Sequence, residues 1–139
     1  MTLLDTNVVI DAQNNTSPCY AWAGGIILEA IAATGAAINA VTLAELCAAE
    51  RAQGGKIEAE MVSAGVHIID LPVGAAPICG RAYMRYRSAR RRSRGGDAPV
   101  MPLPDFFIGA HAELMGWKLA TRDTERFRLY FPDVELVEP

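Results

Sequence analysis

Short apolar runs alternate with longer segments of helical periodicity along the whole chain, and this alternation constrains the fold more than any other feature. Five runs are predicted to be strands, at residues 2–4, 36–41, 67–71, 118–121 and 134–137. Seven segments are predicted to be helical, at residues 7–13, 21–33, 43–53, 57–64, 75 to about 92, 106–115 and 124–130. Strands that alternate with helices indicate an α/β fold with a central parallel sheet of four or five strands and helices on both faces.

Glycines punctuate this alternation. Gly35, Gly65 and Gly116 each follow a helical pattern and precede a strand, where a left-handed backbone ends a helix.

The chain has 139 residues, of which 51% are hydrophobic and 21% charged, so we expect one globular domain over residues 1–139. The sequence has no apolar run of membrane-spanning length and no signal-peptide pattern, which predicts a cytoplasmic protein with no membrane contact. Its three cysteines are widely spaced, so neither a disulfide framework nor a zinc site is expected.

The charge distribution is uneven although the formal net charge is only −3. Residues 81–94 contain seven of the thirteen basic residues and no acid, so the rest of the chain carries a formal charge of −10. Such a separation predicts a local contact with a polyanion or an acidic partner. The competing interpretation is a solvated helix end that its positive charges stabilise.

Four carboxylates occupy corresponding places in the alternation of strands and helices. Asp5 and Asp123 end predicted strands, whereas Glu45 and Asp105 open predicted helices. In an open parallel sheet, side chains just beyond the carboxyl ends of the strands meet at one crevice. Each acid also has a simpler interpretation, because Asp5, Asp105 and Asp123 can cap helices and Thr42-x-x-Glu45 forms a capping box. As a group, however, they would repel one another unless a cation such as Mg²⁺ or Mn²⁺ neutralised them.

Four short motifs in the expected order make the sequence resemble the PIN-domain ribonucleases, and in particular their VapC-like toxins. The motifs are LLDTNV at residues 3–8, TLAEL at 42–46, DFFIGAHA at 105–112 and KLATRD at 118–123. Phe127 and the closing PDVEL at 132–136 are similar to the usual end of VapC-like chains. The resemblance runs from Thr2 to Pro139 and implies a PIN-like three-layer α/β/α architecture.

The resemblance implies an endoribonuclease and assigns roles to residues. Asp5, Glu45, Asp105 and Asp123 would hold one or two Mg²⁺ ions, with Mn²⁺ as a substitute, and a metal-activated water would attack an RNA phosphodiester. Supporting positions at the same crevice are Thr6, Asn7 and Thr121. Gly109 would let an RNA phosphate approach, whereas His67 and His111 would be structural. The implied partners are an RNA substrate, a cognate antitoxin and a second copy of the chain in a homodimer.

Two questions stay open at the level of sequence. The arginines of the basic segment would bind either RNA or the antitoxin, and these residues are Arg85, Arg87, Arg90, Arg91 and Arg92. The alternatives to a toxin are a PIN-fold module that binds RNA or antitoxin without catalysis and a PIN nuclease with a housekeeping role in RNA processing. Four further acids are easily mistaken for ligands, namely Asp11, Glu50, Asp97 and Glu113. Asp97 is predicted to belong to a turn, and the other three are predicted to lie at solvated helix positions.

Overall fold

The computed structural model describes residues 1–50, 55–93 and 99–139, with the side chain of Glu50 left out. Five strands and seven helices alternate along these ranges. In chain order they are β1 (Thr2–Leu4), α1 (Thr6–Gln13), α2 (Tyr20–Ala33), β2 (Ala36–Asn39), α3 (Ala40–Glu50), α4 (Lys56–Ser63), β3 (Val66–Ile69), α5 (Ala75–Arg92), α6 (Pro104–Met115), β4 (Lys118–Ala120), α7 (Thr124–Tyr130) and β5 (Leu136–Val137).

The strands form one parallel sheet in the order β3-β2-β1-β4-β5. The predicted three-layer α/β/α architecture with a central parallel sheet is therefore confirmed. Gly35, Gly65 and Gly116 have φ values of 90°, 87° and 61°, so each ends its helix in the left-handed conformation that was predicted. Along the described ranges, none of the helices is long and apolar enough to cross a membrane.

Side chains alternate between the two faces of the sheet and divide the core into two clusters. Leu3 of β1 contributes to the cluster that α5, α6 and α7 cover, whereas the next residue, Leu4, contributes to the cluster under α1 to α4. Phe106 is the centre of the first cluster, with the rings of Tyr83 and Tyr86 of α5 at 5.1 and 5.4 Å. The sheet therefore separates two helical layers that have different surfaces.

The prediction was wrong at the junction between β2 and α3. We expected a strand to residue 41 and a helix that begins at residue 43, but the strand ends at Asn39 and the helix begins at Ala40. The Asn39 side-chain oxygen accepts hydrogen bonds from the amides of Val41 (3.0 Å) and Thr42 (3.1 Å), which ends the strand and starts the helix. Thr42 consequently lies inside the helix, so the predicted Thr42–Glu45 capping box does not form. The predicted end of this helix, at residues 51–53, lies outside the described residues.

His111 is buried in α6, as a structural histidine should be, and its ring lies 5.5 Å from that of Trp117. The Asn39 amide nitrogen lies 3.3 Å from His111 Nδ1. Because the Asn39 oxygen already accepts the two α3 amides, its nitrogen faces His111 and Nδ1 acts as an acceptor. This geometry favours the neutral imidazole, and burial lowers the pKa of His111 below its ordinary value.

We therefore expect acid to destabilise the protein through His111. Below the unfolded-state pKa of about 6.5, the unfolded chain binds a proton that the folded chain excludes, so the free energy of unfolding falls by up to about 1.4 kcal/mol per pH unit. The loss ends once the pH falls below the folded-state pKa. Urea unfolding of wild type and His111→Gln between pH 7.5 and 5 measures this slope. His111→Gln should lose stability less steeply than wild type as the pH falls, whereas His67→Gln, which changes an exposed histidine, should keep the wild-type slope.

Candidate active site

Asp5 lies at the carboxyl end of β1, where its backbone amide still donates to Ala120 of β4 at 3.0 Å. Its carboxylate is only 4% exposed and accepts three hydrogen bonds. The donors are the amide of Thr6 (2.8 Å), the side-chain amide of Asn7 (2.6 Å) and the hydroxyl of Thr121 (2.7 Å). Residues from two neighbouring strand ends therefore fix the orientation of one buried carboxylate.

Burial raises the pKa of Asp5 above its ordinary value, and the charges of Glu45 and Asp123 raise it further. The hydrogen bonds from Thr121 and Thr6 act in the opposite direction. The structure thus brings Glu45 and Asp123 close enough to Asp5 for their charges to repel its carboxylate. A nearby cation would relieve this repulsion.

Glu45 reaches the crevice from the second turn of α3, and not from the first turn as predicted, because Asn39 starts the helix earlier. The hydroxyl of Thr6 donates to Glu45 Oε2 at 2.5 Å. Thr6 is therefore the contact between Glu45 and the segment that carries Asp5. This contact gives Thr6 a role beyond helix capping.

Asp123 lies three residues after the end of β4 and directly before α7. Its side chain makes no capping hydrogen bond, although it occupies the cap position. Thr121 is fully buried, and its hydroxyl accepts the amide of Asp123 at 3.0 Å while donating to Asp5. Asn7 Oδ1 accepts the amide of Arg122 at 3.3 Å. Thr121 and Asn7 therefore join the two loops that carry Asp5 and Asp123.

Asp105 is the second residue of α6, after Pro104, and it does not cap that helix. Its carboxylate forms an ion pair with Arg126 of α7. Its charge is not among those that raise the pKa of Asp5. Among the predicted acids, only Asp5 caps a helix, and the carboxylate of Asp105 is instead paired with Arg126, which the sequence did not single out.

The donor atoms at this crevice are carboxylate and hydroxyl oxygens, which are the ligands that Mg²⁺ and Mn²⁺ prefer. The repulsion around Asp5 also favours a cation. Within residues 1–50, 55–93 and 99–139, however, no three His, Cys, Asp or Glu side chains are grouped closely enough to hold a metal as they stand. The chemistry of the residues suits a divalent cation. To bind it, the Asp105 carboxylate would have to leave its ion pair with Arg126.

Asp11 corrects the prediction of a solvated acid, because it is only 3% exposed. Its Oδ1 accepts from the hydroxyl of Ser17 at 2.8 Å and lies 3.3 Å from Nη1 of Arg122. Arg122 directly follows Thr121, so Asp11 holds an arginine at the rim of the acidic crevice. The sequence feature that could have indicated these ion pairs is the presence of two arginines, Arg122 and Arg126, on either side of Asp123.

Gly109 does not face the crevice as predicted. A Cβ atom added to it would lie 2.5 Å from two ring atoms of Phe131, which is buried. The missing side chain therefore lets the ring of Phe131 pack on α6. The reason for this glycine is close packing inside the core, and not the approach of an RNA phosphate.

The basic segment lies on α5, which packs against α6 and α7. Arg85, Arg91 and Arg92 are exposed, whereas Arg87 and Arg90 are partly buried. Arg90 Nη1 donates to the hydroxyl of Tyr86 at 2.8 Å, and the Tyr86 ring packs on Phe106, the neighbour of Asp105. The arginine-rich end of α5 therefore lies beside the first turn of α6. Arg94 and Asp97 lie outside the described residues.

Comparison with known proteins gives a match to the PIN domain family over residues 2–132. No curated protein matched the sequence. Similar solved structures include VapBC2 from Rickettsia felis bound to a promoter DNA fragment, with 20% identity, a TM-score of 0.64 and coverage of 99% of this chain and 97% of the matched chain. FitAcB from Neisseria gonorrhoeae has 24% identity, a TM-score of 0.62 and coverage of 100% and 98%. A toxin–antitoxin complex from Klebsiella pneumoniae has 22% identity, a TM-score of 0.63 and coverage of 100% and 98%.

Proposed function

The chain belongs to the PIN domain family, and on that premise we propose that it is a metal-dependent endoribonuclease that acts as the toxin of a toxin–antitoxin pair. The observation that carries the proposal is the buried Asp5 carboxylate, oriented by three donors and close to the charges of Glu45 and Asp123. A carboxylate whose pKa is raised by burial, and further by two like charges, is an unfavourable arrangement for stability alone. It is explained when a cation and a phosphate bind there.

Four acids are assigned to the metal, namely Asp5, Glu45, Asp105 and Asp123. Mg²⁺, or Mn²⁺ in its place, would lower the pKa of water and offset negative charge at the phosphate. Thr121 and Asn7 hold the Asp5 carboxylate in one orientation, and Thr6 does the same for Glu45. The carboxylate of Asp123 is tied by no capping bond, so it is the acid best placed to accept a proton from the attacking water.

Incubation of antitoxin-free protein with total cellular RNA tests the proposed reaction. We expect discrete fragments with 5′-phosphate and 3′-hydroxyl ends in Mg²⁺ or Mn²⁺, and none with excess chelator. Fragments that carry 2′,3′-cyclic phosphates would contradict a metal-activated water. If the folded protein bound RNA but cut none under either metal, the module without catalysis would replace the nuclease. Cutting restricted to precursor RNAs would favour a housekeeping role.

An antitoxin partner is proposed because the similar structures include VapBC and toxin–antitoxin complexes. The layer of α1 to α4 offers a surface for such a partner. A cavity of about 270 Å³ is lined mainly by apolar residues of α1, α2 and α4, including Val9, Ile27, Leu28 and Met61. Leu28 at its edge is 69% exposed. An apolar helix of a partner protein would bury this surface, which is the usual way in which a groove binds an amphipathic helix.

We expect Leu28→Glu to weaken antitoxin binding at least about tenfold, because an unpaired charge would be buried at the interface. The measurement is the Kd between the purified chain and its co-expressed antitoxin. Val73→Glu is the matched control, since Val73 is exposed and lies outside the cavity. Sedimentation of each variant without antitoxin tests whether the cavity is instead the surface of a homodimer. If Leu28→Glu instead dissociated a homodimer and left antitoxin affinity unchanged, the cavity would be the dimer surface.

A further inference from the structure

One face of α7 leads away from the acidic crevice. Arg126, Leu129 and Tyr130 are spaced at i, i+3 and i+4, so they share that face. Arg126 is paired with Asp105 at the crevice end. Tyr130 lies four residues further, about 6 Å along the helix axis at 1.5 Å per residue. The face therefore extends about one helical turn from the arginine that pairs with Asp105.

The outer end of this face opens into a groove between α5 and α7. The groove has a volume of about 460 Å³ and is lined by Met84, Arg85, Ser88, Ala89, Arg92, Leu129 and Tyr130. Arg85 Nη2 donates to the backbone oxygen of Tyr130 at 2.5 Å, which ties the guanidinium to the groove wall. A guanidinium has five N–H donors, so this bond leaves others for a ligand. Arg85 and Arg92 of α5 thus line the groove together with Tyr130, whose ring also packs 5.5 Å from that of Phe106.

We propose that this surface is a track for single-stranded RNA, with Arg126 at its inner end and Arg85 and Arg92 at its outer end. The proposal rests on the proposed function and specifies how the substrate enters the site. Arginine binds phosphate oxygens through paired N–H donors, and proteins bind single-stranded nucleic acids along positively charged grooves. The groove begins at Leu129 and Tyr130, about one helical turn along α7 from Arg126. The outer arginines then contact the RNA backbone beyond the phosphate that is cut.

The position of the track favours RNA over an antitoxin. The groove lies on the sheet face covered by α5, α6 and α7, whereas the apolar cavity lies on the opposite face, under α1, α2 and α4. The apolar surface suits a protein helix, and the basic surface suits a polyanion. Of these two surfaces, the basic groove is the one that shares helix α7 with Arg126, the partner of Asp105. Two chemically different surfaces on opposite faces are what a chain with two different macromolecular partners requires.

The test is the affinity of the full chain for a labelled single-stranded 12-nucleotide RNA, measured by fluorescence anisotropy in excess chelator so that no cleavage occurs. The double variant Arg85→Gln/Arg92→Gln should bind about tenfold more weakly in about 0.1 M salt. The slope of log K against log salt should become shallower by roughly 1.4, the value for two lost phosphate contacts with a single strand. Arg126→Gln should also weaken binding. Arg81→Gln is the matched control, since Arg81 is exposed on the same helix and does not line the groove.

An unchanged affinity and salt slope in the double variant would overturn the track, and so would normal RNA binding together with lost antitoxin binding. These failures are distinguishable from failure of the nuclease. If the double variant still cut RNA as wild type does, the nuclease would stand without the track. If wild type bound RNA through the arginines but cut none under either metal, the RNA track would be supported and the proposed nuclease activity would be contradicted.

Discussion

Asp5→Asn is expected to abolish RNA cleavage while leaving the protein folded. We expect a loss of about 10²–10³-fold or more in the rate of cleavage under saturating Mg²⁺, the size of effect seen when one group that stabilises transition-state charge is removed. The physical reason is that an amide keeps the size of the Asp5 side chain but lacks the negative charge that a divalent cation requires. The rate is measured on a defined RNA fragment identified from the digestion of total RNA.

Asp133→Asn is the matched control, because it removes one negative charge from an exposed loop outside the crevice. It should cut RNA as wild type does. Circular dichroism and thermal unfolding in chelator establish that both variants are folded. Binding of Mn²⁺, measured by calorimetry, supplies a second readout, and Asp5→Asn should weaken it. Retention of full activity by Asp5→Asn would remove Asp5 from the catalytic set and return it to the role of a helix cap.

The order of strands and helices could be predicted from the sequence because local signals encode it. Apolar runs, helical periodicity and glycines such as Gly116 act within a few residues. The boundary at Asn39 could not be predicted in the same way. An asparagine at the end of an apolar run can continue a strand or cap a helix, and the choice here depends on its packing against His111, 72 residues later in the chain.

The candidate site shows the same division between local and distant information. The strand ends place Asp5 and Asp123 together, and the helix after β2 brings Glu45 to them, as predicted from the chain order. The pairing of Asp105 with Arg126 depends on how α6 and α7 pack, and no short motif encodes it. Asp11 was misjudged for a related reason, since its burial depends on Arg122, which follows a different strand.

Gly109→Ala is expected to be the most destabilising of the small substitutions that the structure suggests. In an open helix, alanine is favoured over glycine by about 0.8–1.0 kcal/mol, so local propensity alone predicts a more stable protein. The packing against Phe131 reverses this sign, because the new methyl group would lie 2.5 Å from ring atoms of a buried phenylalanine. Displacing that ring should lower the free energy of unfolding by about 1–3 kcal/mol.

Gly80→Ala separates helix propensity from packing, since Gly80 lies in α5 and an added Cβ atom would have no neighbour within 4 Å. Urea unfolding of the metal-free proteins should therefore give shifts of opposite sign, with Gly80→Ala more stable than wild type and Gly109→Ala less stable. Because Phe131 follows α7, the displacement should also loosen the contact of that helix with α6 and reduce RNA cleavage. Equal stabilisation by both substitutions would mean that α6 and the Phe131 ring can separate without cost.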